Sequence, residues 1–274
     1  MKIYIYTASE LTVFFLLMLN LSAKSQKLPN IQSKNIWAPA NVKIDGKATE
    51  WDNEFRAYNN ATEIFYTITN DDKNIYLAVQ AKDQDIINKI VNGGITFSIE
   101  KPNEKKNKRI INITYPIKDK KTFLVFNLNN KTNKLDTSSK DAEIIMFNNN
   151  AQLTQKCKWI GVSGIVGLDS LISVYNESGI LAAGLFDTKK VYTLELSVSL
   201  KYLSFLTNDN TNFSYYIRVN GWRAMSTLKI AAGENSTPEQ LADIEKLKER
   251  ANALSVRLSA PTDFSGEYTL AKKP

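Results

Sequence analysis

Sugars are bound by aromatic rings stacked on their C–H faces, with amides and guanidinium groups bonding the hydroxyls. In this chain that combination occurs around Gly221, where Asn220, Trp222 and Arg223 lie together, and more loosely at Trp159 in KCKWIGVSG. Ordinary strand packing is the alternative for both Trp159 and Trp222. Trp51, in NVKIDGKATEWDNE, stands beside a turn and just ahead of Phe55, a setting that predicts a buried ring rather than a ligand platform. Asp83 and Asp85 offer hard oxygen ligands for calcium, without the spacing or the glycine of a defined calcium loop. Turn chemistry alone accounts for Asp71 and Asp72.

Composition removes whole classes of chemistry. The 274 residues include no histidine and a single cysteine, Cys157. Without histidine there is no Ser-His-Asp or Cys-His catalysis, no His-ligated zinc and no His-ligated haem. Met146 and Met225 have no histidine with which to share a haem iron. Carboxylate-only glycoside hydrolysis survives, since it needs two Asp or Glu across a cleft, but no local motif marks such a pair. No cofactor is expected, calcium at Asp83 and Asp85 being the one candidate. One cysteine allows no intrachain disulfide, so stability must come from a packed core. The net charge of +7 suits weak attraction to acidic surfaces or acidic glycans. A nucleic-acid partner is not expected, because that would call for a concentrated basic face. The basic stretch at Lys105, Lys106, Lys108 and Arg109, with Lys118, Lys120 and Lys121, reads as a solvated hairpin edge.

The elements that must position these residues are mostly strands. Lys2, the apolar run 11–21 and the small residues at Ala23 and Ser25 predict a secretory signal peptide over 1–25, with Gln26 first in the mature chain. That run falls well short of the ~20 residues of a spanning helix, so no stable membrane insertion is expected after cleavage and the protein is placed in the periplasm or at the cell surface. Period-two alternation predicts strands over 62–69, 74–81, 94–100, 109–115, 122–127, 158–162, 171–175, 192–198 and 213–220. Asn70 to Lys73 close a hairpin, and 127–141 reads as a long polar loop. Thr237, Pro238 and Gln240 form a capping box ahead of a helix whose Leu241, Ile244, Leu247, Ala251 and Leu254 make one apolar stripe. The residues from 259 onward read as a partly ordered tail.

With strands in place, NVKIDGKATEWDNE, the unit TEIFYTITNDDKNIYLAVQAKD and the segment NGGITFSIEK resemble the family 9 carbohydrate-binding module-like domains, secreted β-sandwiches related to the DOMON group. VYTLELSVSLKYL and FSYYIRVNGW look like later strands of such a domain, and the resemblance spans about residues 36–231. It implies an all-β antiparallel sandwich of jelly-roll or immunoglobulin-like topology over 33–233; the C-terminal helix and tail over 234–274 lie outside the pattern. It also implies that Trp51 packs beneath the sandwich. In the sugar-binding members the ligand lies between two rings, one from the loop before the strand matching 94–100 and one from the C-terminal part. Trp222 matches the second ring. The loop DQDIINKIVNGG lacks the first, for which Trp159 is the available substitute. The resulting expectation is a secreted, non-catalytic carbohydrate-binding protein with contacts at Trp222, Arg223, Asn220 and Trp159. The alternative is a structural or interaction protein of the cell envelope whose helix from Thr237 docks a protein partner. The missing ring favours that alternative, and an exposed apolar stripe would favour it further. A carboxylate-only glycoside hydrolase is the third reading.

Overall fold

In the computed structural model the residues described are 27–52, 54–101, 110–118, 124, 126, 140–206, 211–222 and 237–274. The signal peptide expected over 1–25, the basic residues 105–109, Lys120, Lys121, the loop 127–139, Arg223 and Met225 lie outside them. The described chain is mostly β, with two antiparallel sheets and three helices. In chain order the elements are β1 (Ala57–Asn59), β2 (Ile64–Asn70), β3 (Asn74–Ala81), α1 (Gln84–Gly93), β4 (Ile95–Glu100), β5 (Ile110–Ile117) and α2 (Lys140–Lys156). There follow β6 (Trp159–Ser163), β7 (Leu171–Ser173), β8 (Ile180–Phe186), β9 (Tyr192–Ser199), β10 (Asn212–Val219), α3 (Pro238–Ser259) and β11 (Thr262–Thr269). The five-stranded sheet runs β1-β2-β3-β9-β8, and the six-stranded sheet β11-β10-β4-β5-β6-β7.

Alternation sends one set of side chains from each sheet inward. Ile64, Tyr66, Ile68, Leu77, Val79, Leu194 and Leu196 of the five-stranded sheet share one buried cluster with Phe97, Ile99, Ile111, Ile113, Phe213, Tyr215 and Ile217 of the six-stranded sheet. Each such side chain contributes about 1.5–3 kcal/mol on burial, which lets the fold dispense with disulfides. The hydroxyls of Tyr66 and Tyr215 meet at 3.2 Å between the sheets, giving both buried O–H groups a partner.

Most predicted strands are present within one to three residues of their expected ends, and the β2–β3 turn is built as its residues dictate. Asp71 Oδ1 accepts the backbone N–H groups of Lys73 and Asn74, each at 2.7 Å. Five elements differ from expectation, the first being the short strand β1, where none was predicted. The loop expected before Gly94 is helix α1, whose Ile86, Ile87, Ile90 and Val91 are buried as one stripe. Lys140 and Asp141, placed at the end of a loop, open helix α2. The segment ILAAGLF forms β8, and the expected tail forms β11, paired with β10 from Asn212↔Thr269 to Val219↔Thr262. β11 was hidden because it is an edge strand whose residues are mostly polar; only Tyr268 is buried. Most of the strand expected over 122–127 lies outside the described residues, although Leu124 and Phe126 are buried in the core.

Helix α3 begins as predicted, with Thr237 and Gln240 capping each other reciprocally. It is attached near its far end. Leu258 is buried, and the Trp222 N–H donates to its carbonyl at 2.8 Å. A Cβ on Gly221 would stand 1.8 Å from the Ser259 carbonyl oxygen, so only glycine permits this approach. Further toward its start, Leu241, Leu247 and Leu254 are 46%, 50% and 42% exposed. No helix among the described residues is long and apolar enough to cross a membrane.

Candidate functional site

The stretch containing Trp51 lies against the outer face of the five-stranded sheet. Ala38, Ala48, Trp51 and Phe55 form a second buried cluster with Tyr76 and Ala78 of β3. Glu195, fully buried on β9, ties this layer down. Its Oε1 accepts from Trp51 Nε1 at 2.8 Å, and its Oε2 accepts from the N–H groups of Asp45 and Gly46 at 3.0 and 2.9 Å. Burial pushes the Glu195 carboxyl up to about 7, against these three donors, which favour the ionised form. Enclosed, with both carboxylate oxygens bonded to the Asp45–Trp51 stretch, Glu195 latches that stretch to β9. Trp51 is a core residue.

One row of the same sheet face is covered only in part, with Phe65, Gln80 and Leu185 half-buried and Thr193 buried. Phe65, Gln80, Thr193 and Leu185 are register partners across β2, β3, β9 and β8. Over Phe65 and Gln80 lies a cavity of about 780 Å³, lined also by Lys27, Lys34, Arg56 and Lys82. Beyond Gln80 a second cavity of about 410 Å³ is bounded by Thr49, Thr193, Met146 and Asn150. Gln80 lines both, so the two halves meet at its amide, whose Nε2 donates to Thr193 Oγ1 at 3.4 Å.

The walls are held by buried polar contacts. Gln32 donates to the carbonyls of Lys34 and Ile68 at 2.7 and 2.8 Å and accepts from the Ile68 N–H at 2.8 Å. Its own N–H donates to the Tyr66 hydroxyl at 2.9 Å. On the other side the Asn150 side chain exchanges two hydrogen bonds with the backbone of Phe186. The floor is aromatic: Phe65 packs against Tyr58 with ring centres 4.7 Å apart, and Lys82 Nζ lies 4.3 Å over the Phe65 ring.

The residues singled out in the sequence lie elsewhere. Trp159 is 41% exposed on β6 of the six-stranded sheet, opposite Ile117 and Ser173. Asn220 and Trp222 follow β10, which is separated from β6 by β4 and β5, a gap of roughly 14 Å from the usual strand spacing. The Asn220 amide is committed to structure, donating to Gly93 O and Thr96 Oγ1 at 3.1 and 3.0 Å. Asp83 caps α1 through the N–H groups of Asp85 and Ile86. Arg257 then binds Glu63, Asp83 and Asp85 at 3.2, 3.1 and 3.4 Å. Burial and the neighbouring Asp83 charge raise Asp85 above its ordinary range, with Arg257 acting in the opposite sense. A calcium ion at these carboxylates would have to displace the guanidinium, and among the described residues no group of three or more His, Cys, Asp or Glu is placed to hold a metal ion.

Sequence reading missed the groove because its polar lining comes from many separate segments between Lys27 and Thr193. The one local signal was the pair of polar residues Gln80 and Lys82, at the end of β3 and just past it. Comparisons with protein-family models, curated proteins and solved structures found no match.

Proposed function

We propose that the two sheets form a sandwich that serves as a non-catalytic, exported carbohydrate-binding protein, with the ligand lying in the groove over Phe65, Gln80 and Thr193. The observation that carries this reading is a concave sheet face where an aromatic floor, an amide and a hydroxyl converge between pinned walls. With about 780 Å³ on one side of Gln80 and about 410 Å³ on the other, it has room for an oligosaccharide rather than a single sugar. The test is calorimetric titration of the purified protein with a panel of oligosaccharides. Binding abolished by Gln80→Leu with Thr193→Val, and kept by Trp222→Ala, supports the groove. The opposite result moves the site to the end of β10, and silence across the panel removes the reading.

The open face of α3 supports a second reading, a structural or interaction protein of the envelope assembled from copies of this chain. Ile244, Leu247, Ala251 and Leu254 repeat at alternating three- and four-residue spacing, and Asp243 and Lys248 flank that seam where they would pair across a parallel two-stranded coil. A dimer by sedimentation that Leu247→Glu with Leu254→Glu converts to monomer supports this reading. A monomeric wild-type protein removes it.

A further inference from the structure

We infer that the groove selects acidic sugars, those bearing a uronate carboxylate or a sulfate, with the charged group over Phe65 and the neutral part of the chain extending past Gln80. This rests on the carbohydrate reading and narrows it to a ligand class. Four cations, Lys27, Lys34, Arg56 and Lys82, line the larger cavity beside a single acid, Glu54. Arg56 meets Glu54 at 3.5 Å in an exposed pair that an incoming anion can share or replace. Lys27 and Lys34 make no ion pair among the described residues, and their segment is fixed by the buried Gln32 and by the Tyr58 N–H donating to Pro29 O at 3.0 Å. These charges are therefore presented by an ordered wall.

The position of Lys82 decides between a neutral and an acidic ligand. A neutral sugar stacking on Phe65 must push the ammonium off the ring, losing a cation–π contact. A carboxylate or sulfate is instead met by that ammonium and by the Arg56 fork, in charge-assisted hydrogen bonds. The asymmetry ends at Gln80, since the smaller cavity carries one cation and one anion, Lys47 and Asp187. Charge recognition is confined to the Phe65 half.

The experiment compares matched ligands that differ in charge: oligogalacturonate against its methyl ester, and dextran sulfate against dextran. Wild type is set beside Arg56→Gln with Lys82→Gln, and beside a control with the same charge loss on α3, Lys246→Gln with Lys248→Gln. Wild type and control should bind the acidic member of each pair about tenfold or more tightly than the neutral one. The groove variant should lose that preference and keep its neutral binding. Equal affinity for both members overturns the inference and leaves the carbohydrate reading standing. An equal loss in the control assigns the preference to overall charge and also overturns it. Absence of binding to every sugar removes both.

Discussion

Glu195 shows how one buried side chain can hold a whole layer of chain. Its three accepted hydrogen bonds join Asp45, Gly46 and Trp51 to the middle of β9. Glu195→Gln would turn an amide N–H toward donors, leaving buried groups unsatisfied, and should cost about 1–3 kcal/mol in denaturant unfolding. The acid also links stability to pH. With its folded pKa raised from 4.5 to about 7, the folded state holds the proton more tightly than the unfolded chain. Its contribution is fully present below about 4.5 and is lost as pH rises through about 7. The stability of wild type relative to E195Q should therefore fall across that window, by about 3 kcal/mol in all. A flat difference between pH 4.5 and 7 would refute the assignment. Cys157 offers a second check at this scale. Buried, with its thiol pushed up to about 12, it should react with maleimide only as fast as the protein unfolds. Of these residues the sequence revealed the burial of Trp51, whose size and place beside a turn are local facts. The role of Glu195 was not legible, because its partners are about 150 positions away.

At the scale of elements, alternation was legible in half-buried strands such as β4 and β10, and it also found β2, β3 and β9, whose second face is covered as well. The capping box of α3 was legible for the same reason: it is written within four residues. Helix α1 was equally local, with Asp83 as cap and isoleucines at helical spacing, yet the resemblance to a loop of known domains obscured it. Its neighbour α3 depends on contacts that no local pattern contains. Gly221→Ala would drive a Cβ into the Ser259 carbonyl, and should cost about 1–3 kcal/mol and free the end of α3. Arg257→Met should cost less, about 1 kcal/mol, because its three ion pairs are partly exposed. Hydrogen exchange over 250–259 should quicken in both variants, while exchange in β4 and β9 stays unchanged.

For the molecule as a whole, β11 and the residues after it tie down Ile36 and the end of β2. Tyr268 hydrogen-bonds Ile36 O and Asn70 Oδ1 at 3.0 and 3.1 Å, and the Asn70 side chain also exchanges two hydrogen bonds with Ala271. Removing residues 262–274 would strip these bonds and bare the full edge of β10, so the truncated protein should aggregate or melt well below the intact one. A soluble truncation with an unchanged melting temperature would show that the edge is dispensable. The sequence by itself determined that the chain is β-rich, that it relies on a core rather than disulfides, and that histidine chemistry is closed to it. Those properties follow from composition and from periods of two or four residues, which are local. Only the tertiary structure decided that the last strand belongs to the sheet of β10 and that Asp83 and Asp85 face Arg257. It alone placed Lys27, Arg56, Gln80 and Lys82 around one groove, because side chains from separate segments converge only once sheet register and the covering layer bring them together.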